Sequence, residues 1–209
     1  MGVYLWTDMQ GVSVDFRNLS ALPTWWSVNT DDASYSFDGW FKANTNHNTT
    51  LYYALDMTSL NTLSIAVTWA RTSTWRPWSD TLWITQAKTG FISSPSWSGV
   101  SFNRAYGSNS TSGNSNSFGV SVDGGTSTTF ASWNENLGGH RTYNYKLEIN
   151  FQSWLVRISG TEPSSLDRSG TMTSSQIEWV KRDCAYVYMR LWPRNSTTNT
   201  LYTMQIDYT

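Results

Sequence analysis

The chain has 209 residues, only 14% of them charged, and a formal net charge of −1. Ser, Thr and Asn number 30, 27 and 16, while Trp, Tyr and Phe together number 32. That much ring surface excludes intrinsic disorder, the poverty in Ala, Glu, Lys and Leu excludes a helical bundle, and the even balance of charge in both halves excludes nucleic-acid binding by phosphate neutralisation.

The opening Met1-Gly-Val-Tyr-Leu-Trp-Thr-Asp has no basic segment followed by an apolar run, so no cleaved leader is expected. No apolar run approaches the ~18 residues of a membrane span. In chain order, period-two alternation predicts strands at Ser34–Ala43, with Gly39 as a bulge, and at Thr50–Asp56. In the next, Leu63, Ile65, Val67 and Trp69 alternate with Ser64, Ala66, Thr68 and Ala70. Thr81–Gln86 follows. The polar, low-complexity run Ser108–Ser117 reads as a loop inside one domain. Phe118–Val122 and Thr128–Trp133 are strands on either side of the turn residues Asp123-Gly124-Gly125. Tyr143–Phe151 and the run from Trp154 to Ser159 form a hairpin joined at Gln152-Ser153. Pro163–Met172 could hold one short helical turn; nothing there sustains a 3.6-residue period. Cys184, the sole cysteine, excludes an internal disulfide and reads as a small buried residue. Ala185–Trp192 and Thr200–Tyr208 complete the set. Alternation assigns Trp25, Trp26, Trp40, Trp69 and Trp154 to the core. The expectation is a single all-β domain spanning 1–209, of roughly a dozen strands, without a repeat.

Several segments carry a resemblance. The opening Val14-Asp15-Phe16-Arg17-Asn18-Leu19-Ser20-Ala21-Leu22-Pro23-Thr24-Trp25-Trp26-Ser27-Val28 is followed by Tyr35–Phe41, Thr50–Asp56, the hairpin strand Tyr145–Phe151 and the closing strand Leu201–Asp207. In this order they resemble the concanavalin A-like lectin/glucanase superfamily, which includes laminin-G-like and glucanase domains. The resemblance implies an antiparallel two-sheet jelly-roll β-sandwich with a groove on one sheet. It also allows a structural calcium held by loop carbonyls and a terminal-strand acid such as Asp207; no other cofactor is expected.

Glucanases of that superfamily carry two catalytic carboxylates on one strand, ~5–5.5 Å apart in a retaining enzyme. Here no Asp or Glu has another at i+2 or i+4; Glu135, Glu148 and Glu178 stand alone, and the neighbours Asp31 and Asp32 would point to opposite faces of a strand. His47 and His140 have no partner at metal-ligand spacing. No nucleophile elbow, phosphate loop or EF-hand loop occurs. A catalytic site is therefore not expected.

Flat rings present a sugar's C–H face with a stacking surface at low entropic cost, and polar side chains bond its hydroxyls. In Ala185–Trp192, Val187, Met189 and Leu191 would enter the core, leaving Tyr186, Tyr188, Arg190 and Trp192 outward; in Thr81–Gln86, Trp83 faces out. Trp133 and the loop residues Trp75, Arg76 and Trp78 could rim the same groove. Such rings could bind a glycan, contact another subunit of an oligomer, or lie under a loop. One cysteine, 4 Lys against 10 Arg, and abundant Ser, Thr and Asn suit a phage tail, fibre or capsid-decoration protein made in the cytoplasm and displayed on a virion or extracellular surface. The expected function is a non-catalytic, lectin-like subunit whose partners are glycans or neighbouring structural subunits, with no nucleic acid and no membrane. The alternatives are a glycoside hydrolase of the glucanase type and a carbohydrate-binding module from a larger secreted enzyme.

Overall fold

The computed structural model describes residues 10–30, 35–37, 41–43, 49–71, 79–86, 98–105, 114–122, 127–135, 141–161, 165–192 and 199–209. Two antiparallel sheets account for most of them. The eight-stranded sheet runs β13 (Leu166–Thr171), β12 (Leu155–Gly160), β11 (Arg141–Asn150), β6 (Thr62–Arg71), β15 (Asn199–Tyr208), β4 (Phe41–Ala43), β3 (Tyr35–Phe37), with β1 (Gln10–Asp15) also paired to β15. The seven-stranded sheet runs β10 (Thr128–Glu135), β9 (Asn114–Ser121), β8 (Gly99–Ala105), β7 (Ser79–Thr85), β14 (Tyr186–Trp192), β5 (Thr49–Ala54), β2 (Trp26–Thr30). This is the all-β sandwich that the alternation predicts.

Inward residues of both sheets form one core. Leu63, Ile65, Val67 and Trp69 of β6 meet Leu82, Ile84, Val100, Phe102 and Val187 from the other layer. Rings bridge the layers: Tyr145 lies 5.2 Å from Trp69 within its own sheet and 4.9 Å from Phe102 across the gap. These separations fall in the favoured range for aromatic pairs.

Five expectations are corrected. The polar run Ser108–Ser117 is not loop throughout, for Asn114–Ser117 open strand β9 and pair with β8 and β10. Ser34–Ala43 is a hairpin rather than one bulged strand, for Phe37 pairs with Phe41 and Tyr35 with Ala43. Pro163–Met172 contributes strand β13, and the helix comes after it, as α1 (Ser174–Asp183). Thr173 starts that helix with a capping box: its hydroxyl accepts from Gln176 N, and Gln176 Oε1 accepts from Thr173 N. Ile177, Trp179 and Val180 then enter the core. The 163–172 window stops just short of that pattern. Trp25 is 54% exposed in a turn before β2. Trp154 is 43% exposed, the last residue of a four-residue turn, with φ at 63°. There Asn150 Oδ1 takes the amides of Gln152 and Ser153, so the chain turns before Trp154 can join the strand's apolar face. Trp26 and Trp69 are core as expected; Trp40 lies outside the described residues.

Candidate functional site

Register defines the outer face of the seven-stranded sheet. One cross-strand row reads Gly119, Ser101, Trp83, Tyr188, Tyr52, Ser27; the next on that face reads Ser117, Asn103, Thr81, Arg190, Thr50. Alternation thus puts Trp83, Tyr188 and Arg190 on the face away from the core, as the sequence indicated. It does not leave them open. Trp83 is 0%, Tyr188 1% and Arg190 3% exposed. Trp83, Tyr188 and Tyr52 form a second hydrophobic cluster, separate from the core, with Tyr186 half-buried against it. The Tyr52 ring sits 5.5 Å from Tyr188 and 5.9 Å from Tyr186. Burial pushes the Tyr188 phenol well above its ordinary value, and the neighbouring Tyr52 and Tyr186 add to the shift. Alternation reports which face a ring takes, not what lies over it, and so the sequence could not anticipate this burial.

The buried floor leads to a polar flank. Arg190 Nη2 donates to Thr81 Oγ1 at 3.4 Å, and Thr81 Oγ1 donates to Asn103 Oδ1 at 3.1 Å. The relay fixes the Asn103 amide with its Nδ2 left as a donor. Around it Ser101, Ser117 and Gly119 are half-buried, and Ser132 on β10 is exposed. On the same face the buried Thr50 and Thr85 hydroxyls have no hydrogen-bond partner among the described residues, the kind of group that ordered water or a ligand ordinarily satisfies. The sequence reading missed this flank because it missed β8. The signal was present: Val100 and Phe102 alternate with Ser101 and Asn103.

The remaining predicted site residues divide. Trp133 does not join Trp83. A register shift between Thr129 and Ala131 precedes it, and its ring stacks on core residue Phe102 at 5.9 Å with Arg168 of β13 over it at 5.8 Å. A bulge inverts the facing of every residue after it. Trp192 has its backbone in β14, paired with Ser79, and its side chain is outside the described residues. So are Trp75, Arg76 and Trp78.

Carboxylates do not converge in a cleft among the described residues. Glu148 lies on the outer face of the eight-stranded sheet, 2.6 Å from Lys146 and 3.7 Å from Arg157. Asp207 shares its cross-strand row through Ser64, two strand spacings or roughly 9.5 Å away, and accepts from Gln205 Nε2. Glu178 is exposed on α1. No group of three or more His, Cys, Asp or Glu suited to a metal occurs among the described residues.

Solved structures share this architecture. A lectin from Bauhinia forficata in complex with GalNAc superposes with a TM-score of 0.70 at 8% identity, covering 96% of this chain and 99% of that one. The fold is the lectin sandwich. Winged bean acidic lectin complexed with methyl-α-D-galactose gives a TM-score of 0.68 at 8% identity, over 96% and 99% of the two chains. The Emp47p carbohydrate recognition domain gives 0.67 at 11% identity, over 93% of each. No protein-family model matches the sequence, and none of the curated proteins matches it. The lectin likeness is therefore carried by strand order and layer geometry.

Proposed function

We propose that this lectin sandwich is a non-catalytic glycan-recognition subunit that reads sugars along the β8–β9 flank of its seven-stranded sheet. The Arg190–Thr81–Asn103 relay carries the reading. A buried cation anchors a hydroxyl, the hydroxyl anchors an amide, and the amide meets solvent among small side chains that leave room for a sugar ring. Preorganised polar groups of this kind bind hydroxyls at little entropic cost. The buried Trp83, Tyr188 and Tyr52 stiffen the floor instead of stacking on the ligand. Two of the solved lectins described above hold galactose-type sugars, which makes such glycans the first class to test. We place the subunit on a displayed assembly such as a virion, in an adhesive or decorative role; the support is compositional, one cysteine and a surface chemistry of Ser, Thr and Asn.

A glycan array probed with the intact protein tests this. The expected result is selective binding that Asn103→Ala weakens at least tenfold while the circular-dichroism spectrum stays unchanged. Binding by Asn103→Ala equal to that of the unaltered protein would remove the flank from the site.

A further inference from the structure

A second candidate lies away from that flank, at the end of the sandwich where β5 finishes, β1 begins and β15 closes. There a cavity of about 620 Å³ is lined by Gln10, Tyr53, Asp56, Ser59, Asn61 and Tyr208, among others. Its volume is within the ~300–1,000 Å³ of small-molecule sites. We infer that this cavity is a second ligand site, built to take a neutral pyranose sugar.

The wall is held in place before any ligand arrives. Asp56 Oδ1 accepts from both Thr58 N and Thr58 Oγ1, at 3.0 and 2.7 Å, forming a tight turn. Lys181 Nζ of α1 reaches across to the Leu60 carbonyl at 3.0 Å. Asn61 N donates to the Thr209 carbonyl at 2.6 Å, and the hydroxyls of Thr62 and Thr209 meet at 2.7 Å. Leu55 N donates to the Ala185 carbonyl. The segment 55–61 is thus tied to α1, to β14 and to the end of β15.

What remains unspent faces a ligand of mixed donor and acceptor character. Asp56 Oδ2 accepts no hydrogen bond among the described residues. Asn61 Oδ1 is taken by Gln152 Nε2 at 3.2 Å, which orients Nδ2 as a donor. Ser59 and Gln10 add a hydroxyl and an amide, and Tyr53 and Tyr208 bring two half-buried rings, Tyr53 backed by Trp26 at 5.3 Å. Among the lining side chains one is charged, the Asp56 carboxylate, which disfavours phosphates and other anions. A metal would need further acidic ligands, and no group of three or more His, Cys, Asp or Glu that could hold one occurs among the described residues. A polyol suits the set: one hydroxyl donating to the carboxylate, another accepting from Asn61, and a C–H face against a tyrosine ring.

The cavity and the β8–β9 flank are separate sites, so one experiment distinguishes them. Methyl glucoside, mannoside and galactoside are titrated into the isotopically labelled full chain, and backbone amide shifts are followed by NMR. The expected result is saturable shifts at Asp56, Ser59 and Asn61 for at least one pyranoside. Binding should weaken at least tenfold in Asp56→Ala. Asn61→Asp, which keeps the acceptor for Gln152 and removes the donor, should weaken it without touching the turn. Unchanged affinity in both variants would overturn the proposal. Saturable shifts confined to Ser101, Asn103 and Ser117 would also overturn it while leaving the flank reading intact. So would the absence of any saturable shift, a result that the oligosaccharide array judges separately for the flank.

Discussion

Residue burial divides the tryptophans into two energetic kinds. Trp83, wholly buried on the outer face of its sheet, should cost roughly 3–5 kcal/mol when cut to alanine, because both its transfer energy and the cavity left behind count. Trp25, more than half exposed, should cost within about 0.5 kcal/mol. Urea denaturation of the two variants checks the contrast; equal losses would mean that Trp83 lies open. Alternation alone ranked these two the other way, with Trp25 in the core and Trp83 outside. Cys184 gives a second residue-level test. It is buried, and desolvation, with Asp183 nearby, pushes its thiol up, so a thiol reagent should label it only in denaturant. Labelling of the native protein at the rate of a free thiol would contradict the packing.

Elements were legible where alternation was clean and illegible where polar residues interrupted it. The hairpin of Tyr143–Phe151 with the run from Trp154 to Ser159 could be read from the sequence, as could β6, β7 and β14. Strand β13 was not, because Asp167, Arg168 and Ser169 expose three successive side chains at the edge of the sheet. Helix α1 was missed although Thr173 and Gln176 spell out its start. Thr173→Ala should therefore lower stability by about 1 kcal/mol, the usual cost of losing such a cap, read as a shift in the thermal midpoint. No change would mean that tertiary contacts hold the first turn unaided. Gly99 marks another element boundary that the sequence reading passed over. It opens β8 at φ 139°, and a Cβ there would collide with the Ile84 carbonyl oxygen. Gly99→Ala should unseat β8 from β7 and weaken glycan binding along with stability.

At the scale of the whole molecule, the two-layer fold could be read from period-two patterning, and the site only in part. The register brings Trp83, Tyr188 and Arg190 onto one face as expected, but Ser101 and Asn103, at the centre of the polar flank, belong to β8, a strand the sequence reading did not assign. Charge adds a global prediction. Asp15 and Asp167 are held below the ordinary carboxylate value chiefly by hydrogen bonds from Arg17 and Arg157, and Asp56 by the Thr58 amide and hydroxyl. A carboxyl whose pKa is lower folded than unfolded contributes stability above its unfolded value, and that contribution is lost as pH falls through the folded one. Tyr53 and Tyr188 are raised by burial, and their contribution is present below the ordinary phenol value and lost as pH climbs past it. The thermal midpoint should stay level from about pH 5 to pH 9 and fall outside that window, below about 4 and above about 10. A midpoint that drops between pH 5 and 8 would point to a titrating group other than these.

The central claim is that the sandwich holds sugars and leaves them whole. It is tested most directly by titrating the intact protein with the tightest-binding oligosaccharide from an array, then recovering that oligosaccharide and weighing it by mass spectrometry. The account predicts a saturable isotherm and a sugar of unchanged mass; an isotherm that never saturates, or shortened fragments in the recovered sample, would contradict it.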